Sequence, residues 1–198
     1  TVHLYERECS IQRRNQKVLE EAPSPSLSGE LREDICSAAV KLARAMEYSS
    51  VGTVEFILDA STDRFYFLEV NTRLQVEHGI TELITGYDLV GLMIDVAEGK
   101  TLDISQDDVK PNRWAVEARL NAEDPETLGP SFGTISRLRT PEGPNVRVAS
   151  GIYQGASVPP YYDSLLMLIM AAGHDRENAL NVMDRALGRS LRVEGVRT

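Results

Sequence analysis

Cysteine and tryptophan are scarce in these 198 residues, with two and one respectively. Cys9 and Cys36 show no metal-ligand spacing, so both read as small buried side chains in a reduced, intracellular setting. Long apolar runs are missing as well. The longest, Leu165 to Ala172, falls far short of the roughly 20 residues a membrane helix needs, so no membrane partner is expected. The opening Thr1-Val2-His3-Leu4-Tyr5-Glu6 lacks the basic start and apolar core of a secretion signal. Positive charge is in deficit: 21 Lys and Arg stand against 30 Asp and Glu, a net charge of −9. That balance argues against nucleic acid as a partner. What remains is an ordinary globular mixture, 42% hydrophobic and 26% charged. It argues against disorder and suits one large domain or two small ones.

Along the chain, Val2 to Glu6 reads as a strand, followed by the basic run Gln12-Arg13-Arg14-Asn15-Gln16-Lys17 and a loop set by Pro23 and Pro25. Ser28 is a helix N-cap with Glu30 in the first turn. Leu31, Ile35, Ala38, Leu42, Ala45 and Met46 recur at helical spacing, and the helix is expected to end near Ser49. Thr53 to Leu58 and Arg64 to Val70 read as a hairpin joined by turn residues 59–63. Gly79 to Lys100 reads as a helical turn, a break at Gly86, and a helix capped by Asp88 and ended by Gly99. The polar stretch 101–113 marks a boundary between a first part, residues 1–100, and a second, residues 113–198. The second opens with a strand, Trp114 to Asn121, and continues in short strands to about Ala156. Ser164 to Ala172 is expected to be an apolar helix with Asp163 as its N-cap. Asp175 caps a last amphipathic helix carrying Leu180, Met183 and Leu187. Neither terminus carries a cap, so the chain reads as a cut through a larger fold.

The most informative stretch is Glu69 to His78. Glu69, Asn71, Arg73, Gln75 and Glu77 alternate, and in an extended segment all five point to one side while Val70, Leu74 and Val76 face a core. A solvated strand face gives the same alternation, although its usual residues are Lys, Glu, Thr and Ser. A turn centred on Thr62 sets Glu55 opposite Glu69. Like charges so placed destabilise a sheet. A divalent cation reverses that sign, and Mg²⁺ is typically held by one or two carboxylates plus substrate phosphates. Asn71 adds an amide on the same face. A one-residue slip in register would separate the two carboxylates. Arg73 offers a planar fork for a small oxyanion, and Glu77 beside it suits a general base, although taken by itself Glu77-His78 reads first as a surface carboxylate near a strand end. The basic run reads as a phosphate site, as a solvated strand or turn, or as a salt-bridge partner for the acidic excess.

Glu69-x-Asn71-x-Arg73-x-Gln75-x-Glu77-His78, preceded by Cys9 to Lys17, resembles the biotin carboxylase component of biotin-dependent carboxylases. Glu117-Ala118-Arg119-Leu120-Asn121-Ala122-Glu123-Asp124-Pro125 and Pro160-Tyr161-Tyr162-Asp163-Ser164 match the same family in order and spacing. The resemblance implies the C-terminal half of an ATP-grasp domain, an antiparallel sheet with helices, plus the family's C-terminal α+β domain. It implies ATP, Mg²⁺ or Mn²⁺, bicarbonate and carrier-bound biotin as ligands. Glu55, Glu69 and Asn71 would hold the metal, and Gln12 and Asn15 would lie near the terminal phosphate of ATP. Lys17, Arg73, Gln75 and the Val76 backbone would bind bicarbonate. Glu77 would deprotonate bicarbonate for attack on the γ-phosphate. Carboxyphosphate would then release CO₂, and Arg119 would stabilise the biotin enolate.

The implied partners are a biotin carboxyl carrier protein or domain, a carboxyltransferase domain or subunit, and a second copy in a homodimer, with Arg147 near that contact. The implied compartment is the cytoplasm, or the mitochondrial matrix in a eukaryote. Departures are Asn15 for a common histidine, Gly79 for the usual proline after Glu77-His78, Phe132 for a proline and Leu168 for a lysine. The family's N-terminal domain and glycine-rich lid lie outside these residues, so the isolated chain is expected to be inactive. Two alternatives are a binding or dimerisation module without catalysis and a different ATP-grasp ligase. The biotin-specific motif around Arg119 speaks against the latter.

Overall fold

The computed structural model describes residues 1–198. In chain order it contains strands β1 (Glu8–Arg13) and β2 (Gln16–Ala22), helix α1 (Gly29–Ala45), and strands β3 (Thr53–Asp59) and β4 (Arg64–Asn71). Helices α2 (His78–Thr85) and α3 (Leu89–Ala97) follow. Next come β5 (Trp114–Asn121), β6 (Gly133–Thr134), β7 (Arg137–Arg139), β8 (Val146–Ser150), β9 (Ser157–Val158) and β10 (Leu165–Gly173). Helix α4 (Arg176–Arg185) and strand β11 (Arg192–Glu194) close the order. The fold is α+β with antiparallel pairing. Two compact units form, one of residues 1–8 and 22–112, the other of residues 9–21 and 113–198.

In the first unit, the expected strand at Val2–Glu6 does not form. Tyr5 takes a left-handed φ of 64°, which interrupts an extended ladder. The segment is tied down by a side chain instead: the Glu6 carboxylate accepts from Arg32 Nε at 2.8 Å and from the Ser24 amide at 2.9 Å. Ser28 caps α1 by accepting from the Leu31 amide at 3.2 Å. The helix ends at Ala45, earlier than expected, and Met46 is exposed. Asp88 caps α3 through the Gly91 amide, and Gly86 closes α2 in the left-handed region that glycine adopts without steric cost.

Cys36 is the buried residue of α1. Burial, reinforced by the nearby Glu6 carboxylate and opposed by Arg32, pushes its thiol from 9.0 up to about 12. In the unfolded chain the thiol ionises from about pH 9, whereas the folded state keeps its proton until about pH 12. The unfolded state then binds fewer protons, so this group makes stability fall as pH rises through that window. Urea unfolding at pH 8 and pH 10.5 is expected to show the loss in the native protein and its absence in Cys36→Ala.

The second unit is built on a five-stranded sheet in the order β1-β2-β5-β10-β8. The β1–β2 connection is the two-residue turn Arg14-Asn15, with φ of 52° and 62°. Paired left-handed residues of this kind match the twist of hairpin strands. The apolar run expected as a helix is the strand β10, flanked by β5 and β8, and every residue from Leu166 to Gly173 is buried. A central strand buried on both faces reads as a continuous apolar run, which periodicity does not separate from a buried helix. Asp163 therefore caps no helix; its Oδ1 accepts from the Leu165 amide at 2.8 Å and starts the strand. Leu168, at the position where the family commonly has lysine, lies in the sheet interior.

Met167, Ile169 and Ala171 point to one face of β10, against Ala179, Val182, Met183 and Ala186 of α4 and the residue after it. Leu180 and Leu187, expected on the core face, are exposed. The approach is close at the entry to the helix, where a Cβ on Gly173 would collide with the Ala179 amide. Ile169 is fully buried. Ile169→Ala is expected to destabilise the fold by about 2–5 kcal/mol through lost transfer energy and a residual cavity, read as a lower urea midpoint.

Candidate active-site residues

In the first unit, β3 and β4 pair with Glu55 opposite Glu69, as the hairpin arithmetic requires. The route to that register is not a plain hairpin. From Asp59↔Arg64 to Phe56↔Phe67 the pairing runs one residue short of it, and a bulge between Phe56 and Glu55 restores the offset. Without the bulge Glu55 would oppose Leu68, and the two carboxylates would lie on opposite faces.

The carboxylates are joined by amides. Asn71 Nδ2 donates to Glu55 Oε1 at 3.1 Å and to Glu69 Oε1 at 3.0 Å. Gln75 Nε2 donates to Glu55 Oε1 at 2.9 Å. These N–H groups partly offset the like-charge repulsion. The Asn71 nitrogen, not its oxygen, faces the carboxylates, so its place in a metal-ligand set requires the amide to turn over. No group of three or more His, Cys, Asp or Glu comes together. Two hard carboxylates with flanking amides suit Mg²⁺, which relies on substrate phosphates and waters for its remaining ligands. The residues present therefore fit the ion.

The single extended row expected from Glu69 to Glu77 ends at Asn71, where β4 stops. The chain then turns, with the His78 amide donating to the Gln75 carbonyl at 3.2 Å. As a result Gln75 and Glu77 are buried at 6% and 3% exposure, while Val76, expected in a core, is exposed. Arg73 is exposed, and its guanidinium donates to the Leu74 carbonyl at 3.2 Å. Glu77 is the N-cap residue of α2 and makes no side-chain cap, so its carboxylate is not spent on the helix. Gly79 falls in the first turn of α2, where proline is tolerated equally.

In the second unit, Gln12 lies on β1 and Asn15 in the turn, both exposed, and Gln12 Nε2 donates to the Cys9 carbonyl at 2.9 Å. Lys17 is half-buried on β2. Arg119 on β5 pairs with Glu20 of β2, Nη2 to Oε1 at 3.4 Å. Glu117, two residues away on the same face of β5, is also buried. Arg119 is thus held by the buried Glu20 carboxylate. Arg13 pairs with Glu123, and Arg14 donates to the Leu128 carbonyl. Arg13 thus takes the ion-pair reading of the basic run, and Arg14 sits in the turn.

Sequence reasoning missed Arg7 and Glu20. Arg7 donates to Gln75 Oε1, to Thr81 Oγ1 at 2.9 Å and to Thr53 Oγ1 at 3.4 Å. It lay beside a stretch read as a strand. Glu20 carried only the weak signal of a carboxylate beside apolar Leu19.

Comparison with known proteins fits this arrangement. Residues 1–105 match the family described as carbamoyl-phosphate synthase L chain, ATP binding domain, and residues 117–198 match the biotin carboxylase C-terminal domain. Together they define an ATP-grasp nucleotide-binding unit followed by a biotin carboxylase end domain. The chain belongs to the biotin carboxylase family. It is 50% identical over its whole length to biotin carboxylase 1 of Bacillus subtilis, and it spans 44% of that protein. It is 54% identical over 93% of its length to the mitochondrial propionyl-CoA carboxylase alpha chain of Homo sapiens, and it spans 26% of that protein. Among solved structures, the biotin carboxylase domain dimer of Hydrogenobacter thermophilus 2-oxoglutarate carboxylase superposes with a TM-score of 0.96 at 45% identity. That match covers 99% of this chain and 43% of the other, and the structure holds MgADP, ADP and bicarbonate.

Proposed function

We propose that this chain forms part of a biotin carboxylase that uses ATP and bicarbonate to carboxylate biotin on a carrier protein or domain. The observation that carries the reading is the register-opposed Glu55 and Glu69, bridged by Asn71 and backed by Gln75. Glu55, Glu69 and Asn71 hold Mg²⁺ or Mn²⁺, which neutralises charge on the ATP phosphates when bound. Gln12 and Asn15 contact the terminal phosphate. Lys17, Arg73, Gln75 and the Val76 amide bind bicarbonate. Glu77 is its general base, and Arg119 stabilises the biotin enolate.

A carboxyltransferase domain or subunit consumes the carboxybiotin, and the carboxylase functions as a homodimer in which Arg147 lies near the contact. No helix is long and apolar enough to cross a membrane, and the proposed compartment is the cytoplasm or mitochondrial matrix. The chain spans 44% of the Bacillus subtilis relative, so turnover is assigned to the whole carboxylase.

The test is ATP hydrolysis by that carboxylase with and without bicarbonate, beside Mn²⁺ binding. Hydrolysis that rises with bicarbonate, and metal binding that Glu69→Gln weakens, support the reading. Bicarbonate-independent hydrolysis, or metal affinity untouched by Glu69→Gln, refutes it. The 198-residue chain by itself is expected to show no bicarbonate-dependent hydrolysis.

A further inference from the structure

Arg7 donates to the Gln75 amide, and the direction of the hydrogen bonds leads from there to one carboxylate of the candidate metal pair. A guanidinium has donors and no acceptor. Only the oxygen of the Gln75 amide can therefore face Arg7, as it does. That choice forces the amide nitrogen to the other side, where it donates to Glu55 Oε1 at 2.9 Å. Turned over, the amide would set nitrogen against guanidinium and oxygen against carboxylate, losing both bonds. Arg7 is itself held by the buried Thr81 hydroxyl of α2 at 2.9 Å and by Thr53 at the start of β3. Gln75 is buried, so water cannot readily replace either partner.

We infer that Arg7 is a positioning residue that fixes the Gln75 amide and, through it, the Glu55 carboxylate in readiness for a divalent cation. The inference rests on the reading of Glu55 and Glu69 as the metal pair. Residues that orient metal ligands from behind typically change affinity 10–100-fold when removed. A chain of two directional bonds, each with a single allowed sense, is the arrangement that produces such an effect.

The experiment measures Mn²⁺ binding by electron paramagnetic resonance in the intact protein. It compares the native chain with Arg7→Ala, Arg7→Lys, Gln75→Ala, the Arg7→Ala/Gln75→Ala double variant and Glu55→Gln. Arg7→Ala is expected to weaken Mn²⁺ binding about tenfold or more, with Gln75→Ala similar and the double variant no worse than either. Arg7→Lys is expected to restore part of the affinity. The Gln75 side-chain amide signal in ¹⁵N NMR is expected to shift in Arg7→Ala.

Native affinity in Arg7→Ala, or losses that multiply in the double variant, would overturn the inference. If Glu55→Gln leaves Mn²⁺ binding unchanged, the metal-pair reading fails, and the amide signal then decides the role of Arg7: an unmoved signal sinks it. If Arg7→Ala does not fold, Arg7→Lys and the Gln75 signal carry the same decision.

Discussion

Glu77→Gln in the whole carboxylase is expected to lower bicarbonate-dependent ATP hydrolysis by about 10²–10⁴-fold, the usual contribution of a positioned general base. That corresponds to about 3–5 kcal/mol of barrier. The residue is 3% exposed and stands at the first turn of α2 without capping it. The substitution keeps the shape and removes the ability to take a proton. Its folding cost includes a carboxylate's favourable interaction with a helix N-terminus, about 0.3–1 kcal/mol. A near-unchanged urea midpoint beside collapsed turnover would separate chemistry from stability. Near-normal turnover refutes the assignment of the base.

Arg119→Ala is expected to divide the two half-reactions. Biotin carboxylation should fall by about 10²–10³-fold, the scale for losing one donor aimed at a developing oxyanion. Bicarbonate-dependent ATP hydrolysis should stay within severalfold of the native rate, since its proposed base is Glu77. The variant also loses the ion pair with buried Glu20, and breaking such pairs costs about 3–5 kcal/mol when burial is complete. The Arg119 side chain keeps 19% exposure, so a smaller cost is expected. Both rates are therefore measured well below the unfolding temperature, with Arg119→Lys as a charge-preserving control. Equal loss of both activities argues against the enolate role.

Much of the fold was legible from local chemistry. Ser28, Asp88 and Asp175 cap the helices they were expected to cap, each accepting a backbone N–H three residues on. The strand at Trp114–Asn121 also stands where it was expected. Failures occurred where tertiary burial overrides periodicity. Strand β10 has no polar face because it is covered on both sides, so its sequence carries no period of two. The polar row from Glu69 onward has the right period, yet the chain turns after Asn71, because alternation by itself does not mark where a strand ends. The Glu55–Glu69 register was inferred from a symmetric turn, whereas the structure reaches it through a bulge that no local signal announces. Arg7 was invisible for a different reason. Its meaning depends on contacts with Thr53, Gln75 and Thr81 that only the folded chain assembles.

The order of strands in the second unit has a kinetic consequence. β1 and β2 are synthesised together, but β5, the neighbour of β2 in the sheet, follows about 90 residues later. At 5–20 residues per second the early hairpin waits roughly 5–20 s for its place. Long-range pairing of this kind slows folding. Leu165–Gly173, apolar and uncharged with no proline, has the composition of a cross-β segment, but it is synthesised after both of its flanking strands, β5 and β8. Reopening of the finished sheet, rather than synthesis, is therefore the stage at which this strand is expected to drive aggregation.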